Sequence, residues 1–259
     1  MAKRNLLLCF DAFGTLFKPA RPVAQQYAEV ARQCGITNFK DGDVHSSLLS
    51  AMKEESKQNP NYGKATGLGA TKWWTNIIHN TFNPLIEPNQ SLPKDLAPKL
   101  LHRILASFGL NVSPLRYGTA ADPKDFAAGQ EYDIDFHCMS YDVGIEKPDR
   151  LIFHAADLML AHLISIRNGK SPSDAQAEIE NWRKVYVGDE HAKDVVGAVN
   201  AGWDPVLLDE EDQSPDIPRL EDHPTETLDS LYKKHQAVRV RSLENLVKWF
   251  TADDPASTA

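Results

Sequence analysis

Apolar residues fall along this chain in two rhythms. Some form short unbroken runs that end in a polar residue. Others recur at spacings of three and four. The first run covers residues 5–10 and leads into Asp11-Ala12-Phe13-Gly14-Thr15-Leu16. A continuous apolar run of this length, closed by Asp and Gly, predicts a buried parallel strand that ends in a loop. Lys184-Val185-Tyr186-Val187-Gly188-Asp189 repeats the pattern, and Val206-Leu207-Leu208 gives a shorter version. Ile134 to Ser140 reads as another strand. The helical rhythm begins with Val23, Tyr27, Val30, Ala31 and Cys34, with Gly35 as its stop. Residues 41–57 predict a second helix, with Asp41 or Asp43 as N-cap. Trp73, Trp74, Ile77, Ile78 and Phe82 mark a third, and residues 94–108 a fourth. Further helices are predicted over 149–166, from Asp194 to Asn200, and up to Phe250.

Between these elements lie turns and loops: Asn59-Pro60-Asn61-Tyr62-Gly63, residues 113–131, residues 168–173 and an acidic stretch over 209–224. The first acids of that stretch, 209–213, read as a solvated loop. The tail 251–259 reads as a disordered end. Strands that alternate with helices imply an α/β fold with a parallel sheet covered on both faces. The helical block interrupts that alternation. It predicts a separate helical cap over 19–100, inserted into a core made of 1–18 and 101–259, with the site in the cleft between them.

Composition narrows the function classes. Hydrophobic residues make up 42% and charged residues 25% of the 259, as in ordinary globular proteins. No apolar run reaches the roughly 18 residues of a membrane span. The opening run is too short for a secretory signal, whose core needs about 7–15 residues. With 36 acidic against 28 basic residues the net charge is −8, which opposes sequence-independent nucleic-acid binding. Cys9, Cys34 and Cys138 show neither a disulfide framework nor a zinc pattern. Cys9 and Cys138 read as small buried hydrophobes inside strands. The expectation is a cytoplasmic protein with a small-molecule substrate and no nucleic-acid or membrane partner.

Reactive groups in open α/β sheets collect beyond the carboxyl ends of the strands. Asp11 and Asp189 each follow a predicted strand. Ser140 ends a third, with Lys147 seven residues on in Gly144-Ile145-Glu146-Lys147-Pro148. Neighbouring strands would bring Asp11, Asp189, Asp194 and Lys147 together. One carboxylate can then attack carbon or phosphorus while others hold a hard cation such as Mg²⁺. The lysine would neutralise a bound anion or keep Asp11 ionised.

These residues resemble the motifs of the haloacid dehalogenase superfamily. Asp11-Ala12-Phe13-Gly14-Thr15-Leu16 looks like its motif I. Lys147-Pro148-Asp149 looks like its motif III lysine. Val187-Gly188-Asp189-Glu190 with Asp194 looks like motif IV. Asn61-Tyr62-Gly63, Gly67-Leu68 and Trp73-Trp74 are similar to the cap of the eukaryotic haloacid dehalogenase-like hydrolase domain-containing proteins. The resemblance implies a Rossmann-like core with a helical cap, Asp11 as nucleophile and Lys147 stabilising its charge. In a phosphatase-type member Asp11, Asp189 and Asp194 would hold Mg²⁺, with the Phe13 carbonyl as a further ligand. A dehalogenase-like or non-hydrolytic member would need no cofactor. Phe13, Thr15 and Ser140 are the candidate substrate-lining residues, with Thr15 also supporting the loop.

Two departures from the family pattern bear on the reaction. Phosphatases of the superfamily carry an aspartate two residues after the nucleophile as general acid and base. Here Phe13 stands there, and losing a general acid costs about 10²–10⁴ in rate. Motif II is also missing: Leu100 to Leu105 runs straight into Ala106 to Leu110, where a strand–helix unit is expected. The loss would remove one strand beside residues 5–10 and raises the prospect of a homodimer. Three readings follow. The first is a hydrolase-type enzyme acting through Asp11 on a small organic molecule, inefficient as a phosphatase. The second is a repurposed enzyme that opens an epoxide, rearranges or cyclises its substrate with Asp11 as acid or base. The third is a degraded member that only binds.

Overall fold

A computed structural model describes residues 5–19, 21–108 and 134–252. The predicted loop at 113–131, most of the tail and the stretch 109–133 after the expected motif II deletion lie outside the described residues. The chain divides into two compact units, Met1–Leu16 with Pro114–Ala259, and Phe17–Ser113. The second unit runs past the boundary expected at 100. The helix Leu96–Phe108 joins it because Leu96, Ala97 and Leu100 are buried in that unit's core. Of the two pieces expected to flank the lost motif II unit, Leu100 to Phe108 lies within this one helix, and Gly109 and Leu110 lie outside the described residues.

In the larger unit four strands pair in the order β1 (Leu6–Phe10), β2 (Arg183–Gly188), β3 (Asp204–Leu208) and β4 (Val238–Val240), all parallel. Strand alternation sorts the side chains. Val185, Val187, Val206, Leu208, Val238 and Val240 bury one face against Leu220, Leu231, Leu246 and Trp249. The other face packs Leu7 against Ile152, Phe153, Leu160 and Ile164 of the helix Arg150–Asn168. Fully burying one such side chain stabilises by about 1.5–3 kcal/mol. Asp149 caps that helix, its carboxylate accepting from the Leu151 amide at 2.9 Å.

The structure departs from the predicted elements at three points. Residues 134–139 form no strand: Ile134 makes a lone bridge, and Ser140 opens a one-turn helix, Ser140–Val143. Their burial still alternates, with Phe136 and Cys138 packed on the core and His137 and Met139 outside. Alternation fixes which side chains turn inward, but a ladder also requires a neighbouring strand. β4 is not among the predicted strands, because it is short and carries Arg239 at its centre. The helices Pro172–Ile179 and Leu228–Lys234 were not predicted. The first had its signals in the sequence, Ser171 as N-cap and Pro172 at the first turn.

The helical unit holds Val23–Gln33, Asp41–Gln58, Ala70–Phe82 and Leu96–Phe108. Tyr27, Ile77, Ile78 and Phe82 form its centre. Lys40, rather than either aspartate, is the N-cap of the second helix, and Asp43 reaches back to accept the Lys40 amide at 2.9 Å. Trp73 is buried and donates its indole N–H to the Asn59 carbonyl at 2.9 Å, so it belongs to this core. Among the described residues, no helix is long and apolar enough to cross a membrane.

Candidate active site

The register of β1 on β2 builds the site. Phe10 stands opposite Val187, and the Asp11 amide extends the ladder by donating to the Val187 carbonyl at 2.8 Å. Asp11 therefore emerges beside Gly188 and Asp189, at the carboxyl ends of two adjacent parallel strands. The chain then turns through Gly14, at φ +95°. A Cβ on Gly14 would stand 2.3 Å from Asp189 Oδ2, so only glycine allows Asp189 so close to the first loop. Thr15, buried at the end of that turn, donates its hydroxyl to Asp189 Oδ1 at 3.1 Å.

Asp194 reaches the same place from the turn that follows β2. It is only 2% exposed, and its Oδ2 accepts the Glu190 amide at 2.8 Å. A Cβ on Gly188 would come within 2.2 Å of Asp194 Cγ, so this glycine also makes room for a carboxylate. Lys147 closes the arrangement. Its Nζ donates to Asp11 Oδ1 at 2.6 Å, to Asp194 Oδ1 at 2.5 Å and to the Tyr186 hydroxyl at 2.9 Å.

Burial opposes the Lys147 charge, but Tyr186, Asp194 and Asp11 outweigh it and hold the ammonium above the ordinary lysine range. Burial pushes the Asp194 carboxyl above the usual carboxylate range, against the pull of Lys147 and the Glu190 amide. Burial likewise pushes the Tyr186 phenol up, so it stays neutral.

Asp11, Asp189 and Asp194 each offer an oxygen within 4.8 Å of the others. These all-oxygen donors suit a hard cation such as Mg²⁺. Asp189 is exposed and engages Thr15 through one oxygen, so it has capacity for a ligand. Asp194 already has both oxygens bonded, which leaves Asp11 and Asp189 as the better-placed donors.

The structure thus brings together Asp11, Thr15, Lys147, Asp189 and Asp194. Phe13 lies in the Asp11 loop and is 50% exposed. Ser140 stands at the start of its one-turn helix and is not among the partners of Lys147. Sequence reading missed Tyr186. The available signal was its place in β2, where it alternates with the buried Val185 and Val187 and so faces the side from which Lys147 arrives. The acidic stretch was also misjudged at its first residue. Asp209 is buried, with both oxygens bonded to the backbone amides of Gln213 and Ser214 at 2.8 and 2.9 Å.

Comparison with known proteins agrees with this geometry. Residues 144–234, which span Lys147 through Asp194, match a family described as HAD-hydrolase-like. An uncharacterised hydrolase of Schizosaccharomyces pombe is 28% identical over 223 residues, covering 78% of this chain and 90% of its own. Haloacid dehalogenase-like hydrolase domain-containing protein 3 of Danio rerio is 28% identical over 244 residues, covering 86% and 93%. A 2-haloacid dehalogenase structure from Pseudomonas syringae pv. Tomato DC3000 aligns over 96% of this chain and 99% of its own, at 15% identity. The TM-score of that alignment is 0.47. Parallel strands ending in Asp11 and Asp189, a lysine between carboxylates, and relatives matched over most of their length all point the same way: the chain is similar to the haloacid dehalogenase-like hydrolases.

Proposed function

We propose that this protein hydrolyses a small organic substrate through a covalent intermediate on Asp11 and is a poor phosphomonoesterase. The observation that carries this reading is the division of labour on Asp11. Lys147 bonds Oδ1 at 2.6 Å, while no hydrogen bond among the described residues reaches Oδ2. Oδ2 can attack an electrophilic carbon or phosphorus, and the leaving group departs with the bonding pair. Water then hydrolyses the enzyme ester and restores the carboxylate. Lys147 stabilises the carboxylate when it is regenerated. Mg²⁺, where bound by Asp11 and Asp189, would offset the acid surplus and favour an anionic substrate. Phe13 stands where phosphatases of this family carry their general acid, and a phenyl ring transfers no proton. This favours a leaving group that departs without protonation, such as a halide, over an alkoxide.

The intact bonding of Lys147 to both Asp11 and Asp194 speaks against a degraded, binding-only member. The names of the relatives lend no support to rearrangement or cyclisation. The test is a panel of phosphomonoesters and 2-haloacids, assayed with and without Mg²⁺ on wild type and Asp11→Asn. Turnover in the variant should fall by at least about 10³-fold, and Phe13→Asp should shift the balance toward phosphomonoesters. An Asp11→Asn enzyme with wild-type rates would end the reading.

A further inference from the structure

We propose that Tyr186 is a positioning residue that determines which oxygen of Asp11 attacks, by holding Lys147 on the other one. The inference rests on Asp11 being the nucleophile. An ammonium has three N–H donors. Lys147 commits them to Asp11 Oδ1, Asp194 Oδ1 and the Tyr186 hydroxyl. Two of these acceptors are themselves anchored. Asp194 is tied to the Glu190 amide, and Tyr186 stands in the middle of β2 with Phe153 edge-on to its ring at 5.1 Å. Phe153 in turn meets Trp203 at 5.3 Å, so the ring has packed support.

The lysine Nζ also lies 5.2 Å from the centroid of the Tyr186 ring, close enough for a cation–π contact. Lysine is a point charge on a flexible four-carbon stem. With one donor uncommitted, its head could rotate toward Oδ2 of Asp11 and shield the oxygen that must attack. The phenol oxygen takes up that third donor. Its neighbour in register on β1, Cys9, offers only a weak sulfur acceptor and cannot replace it.

Tyr186→Phe separates the two contributions, because it keeps the ring and its packing and removes only the oxygen. The deciding readout is the ¹⁵N signal of Lys147 Nζ in the intact protein, assigned by its loss in Lys147→Met. Wild type should give a slowly exchanging ammonium resonance that broadens or disappears in Tyr186→Phe. A wild type without that resonance, or a variant that retains it, would overturn the proposal. Kinetics on p-nitrophenyl phosphate and 2-chloropropionate supply the second arm. On whichever is turned over, kcat should fall about tenfold with KM unchanged within about twofold, as expected for a lost hydrogen bond to a charged group. A lost resonance with unchanged kcat would refute control of the attacking oxygen. The resonance is read without substrate. If Asp11→Asn stays active while the resonance behaves as expected, the reading of Asp11 fails and the hold of Tyr186 on Lys147 stands.

Discussion

Two ionic clusters stand at the carboxyl ends of the same sheet, and they begin in the same way. Asp11 follows β1 and donates its amide to Val187 of β2 at 2.8 Å. Asp209 follows β3 and donates its amide to Val240 of β4 at 2.9 Å. From there they diverge. Asp209 gives both oxygens to the Gln213 and Ser214 amides and also meets Arg239 at 3.3 Å. Arg239, only 6% exposed, further bonds the Ile217 carbonyl and Asp212, which Arg219 and Arg241 also reach. Three guanidiniums face Asp209 and Asp212 there, and both Asp209 oxygens are taken by its own loop. Among the described residues, a single lysine faces three carboxylates at the Asp11 end, and no hydrogen bond reaches Oδ2 of Asp11. One cluster closes a loop onto the sheet, and the other retains an acid surplus and an open oxygen. A strand-end aspartate becomes reactive only when its own loop does not consume it.

The largest test of this contrast is Arg239→Met. Removing the arginine leaves Asp209 buried without its counter-charge, which should cost about 3–5 kcal/mol of stability in chemical denaturation. Activity per folded molecule should be unchanged. A variant that unfolds at wild-type denaturant concentrations would show that the amides of Gln213 and Ser214 suffice for Asp209.

A smaller effect is expected from Mg²⁺. If the acid surplus at Asp11 and Asp189 attracts a cation, the ion stabilises the folded chain by about 2.7 kcal/mol at a hundred times its Kd. Melting curves across an Mg²⁺ series should rise for wild type and stay flat for Asp189→Asn. Equal rises in both proteins would place binding elsewhere on an acidic surface.

The same contrast shows how far sequence could lead. An apolar run closed by an aspartate marks Asp11, Asp189 and Asp209 alike, since Val206-Leu207-Leu208 precedes the last of these. The strand ends were legible because burial and the absence of a side-chain period are local properties. Which aspartate stays open was not, because its competitors lie elsewhere: Gln213 and Ser214 for Asp209, Lys147 for Asp11. The Gly-x-x-Lys-Pro setting marks Lys147, whereas the local sequence presents Tyr186 only as part of an apolar strand run. Its role depends on a lysine 39 residues away in the chain. The segment before Ser140 shows the converse, an alternation of burial without the ladder it suggested.

Acid titration separates the clusters with the least perturbation. Burial raises the Asp194 carboxyl, while hydrogen bonds from Arg219, Arg239 and Arg241 hold Asp212 well below the usual range. For Asp212 the folded pKa lies under the unfolded one. Its contribution to stability is therefore fully present above the ordinary aspartate value of about 3.9 and is lost only as pH falls through the depressed folded value. For Asp194 the folded pKa lies above the unfolded one, so the folded state takes up a proton there before the unfolded chain does. Activity that needs the Lys147–Asp194 pair should then decline on its acid side at a pH above about 4, while the arginine cluster is still intact. Carboxyl ¹³C shifts followed from neutral pH downward should move at Asp194 first and at Asp212 last. The reverse order would mean that Lys147 outweighs burial at Asp194, and that the two clusters differ in geometry but not in their response to protons.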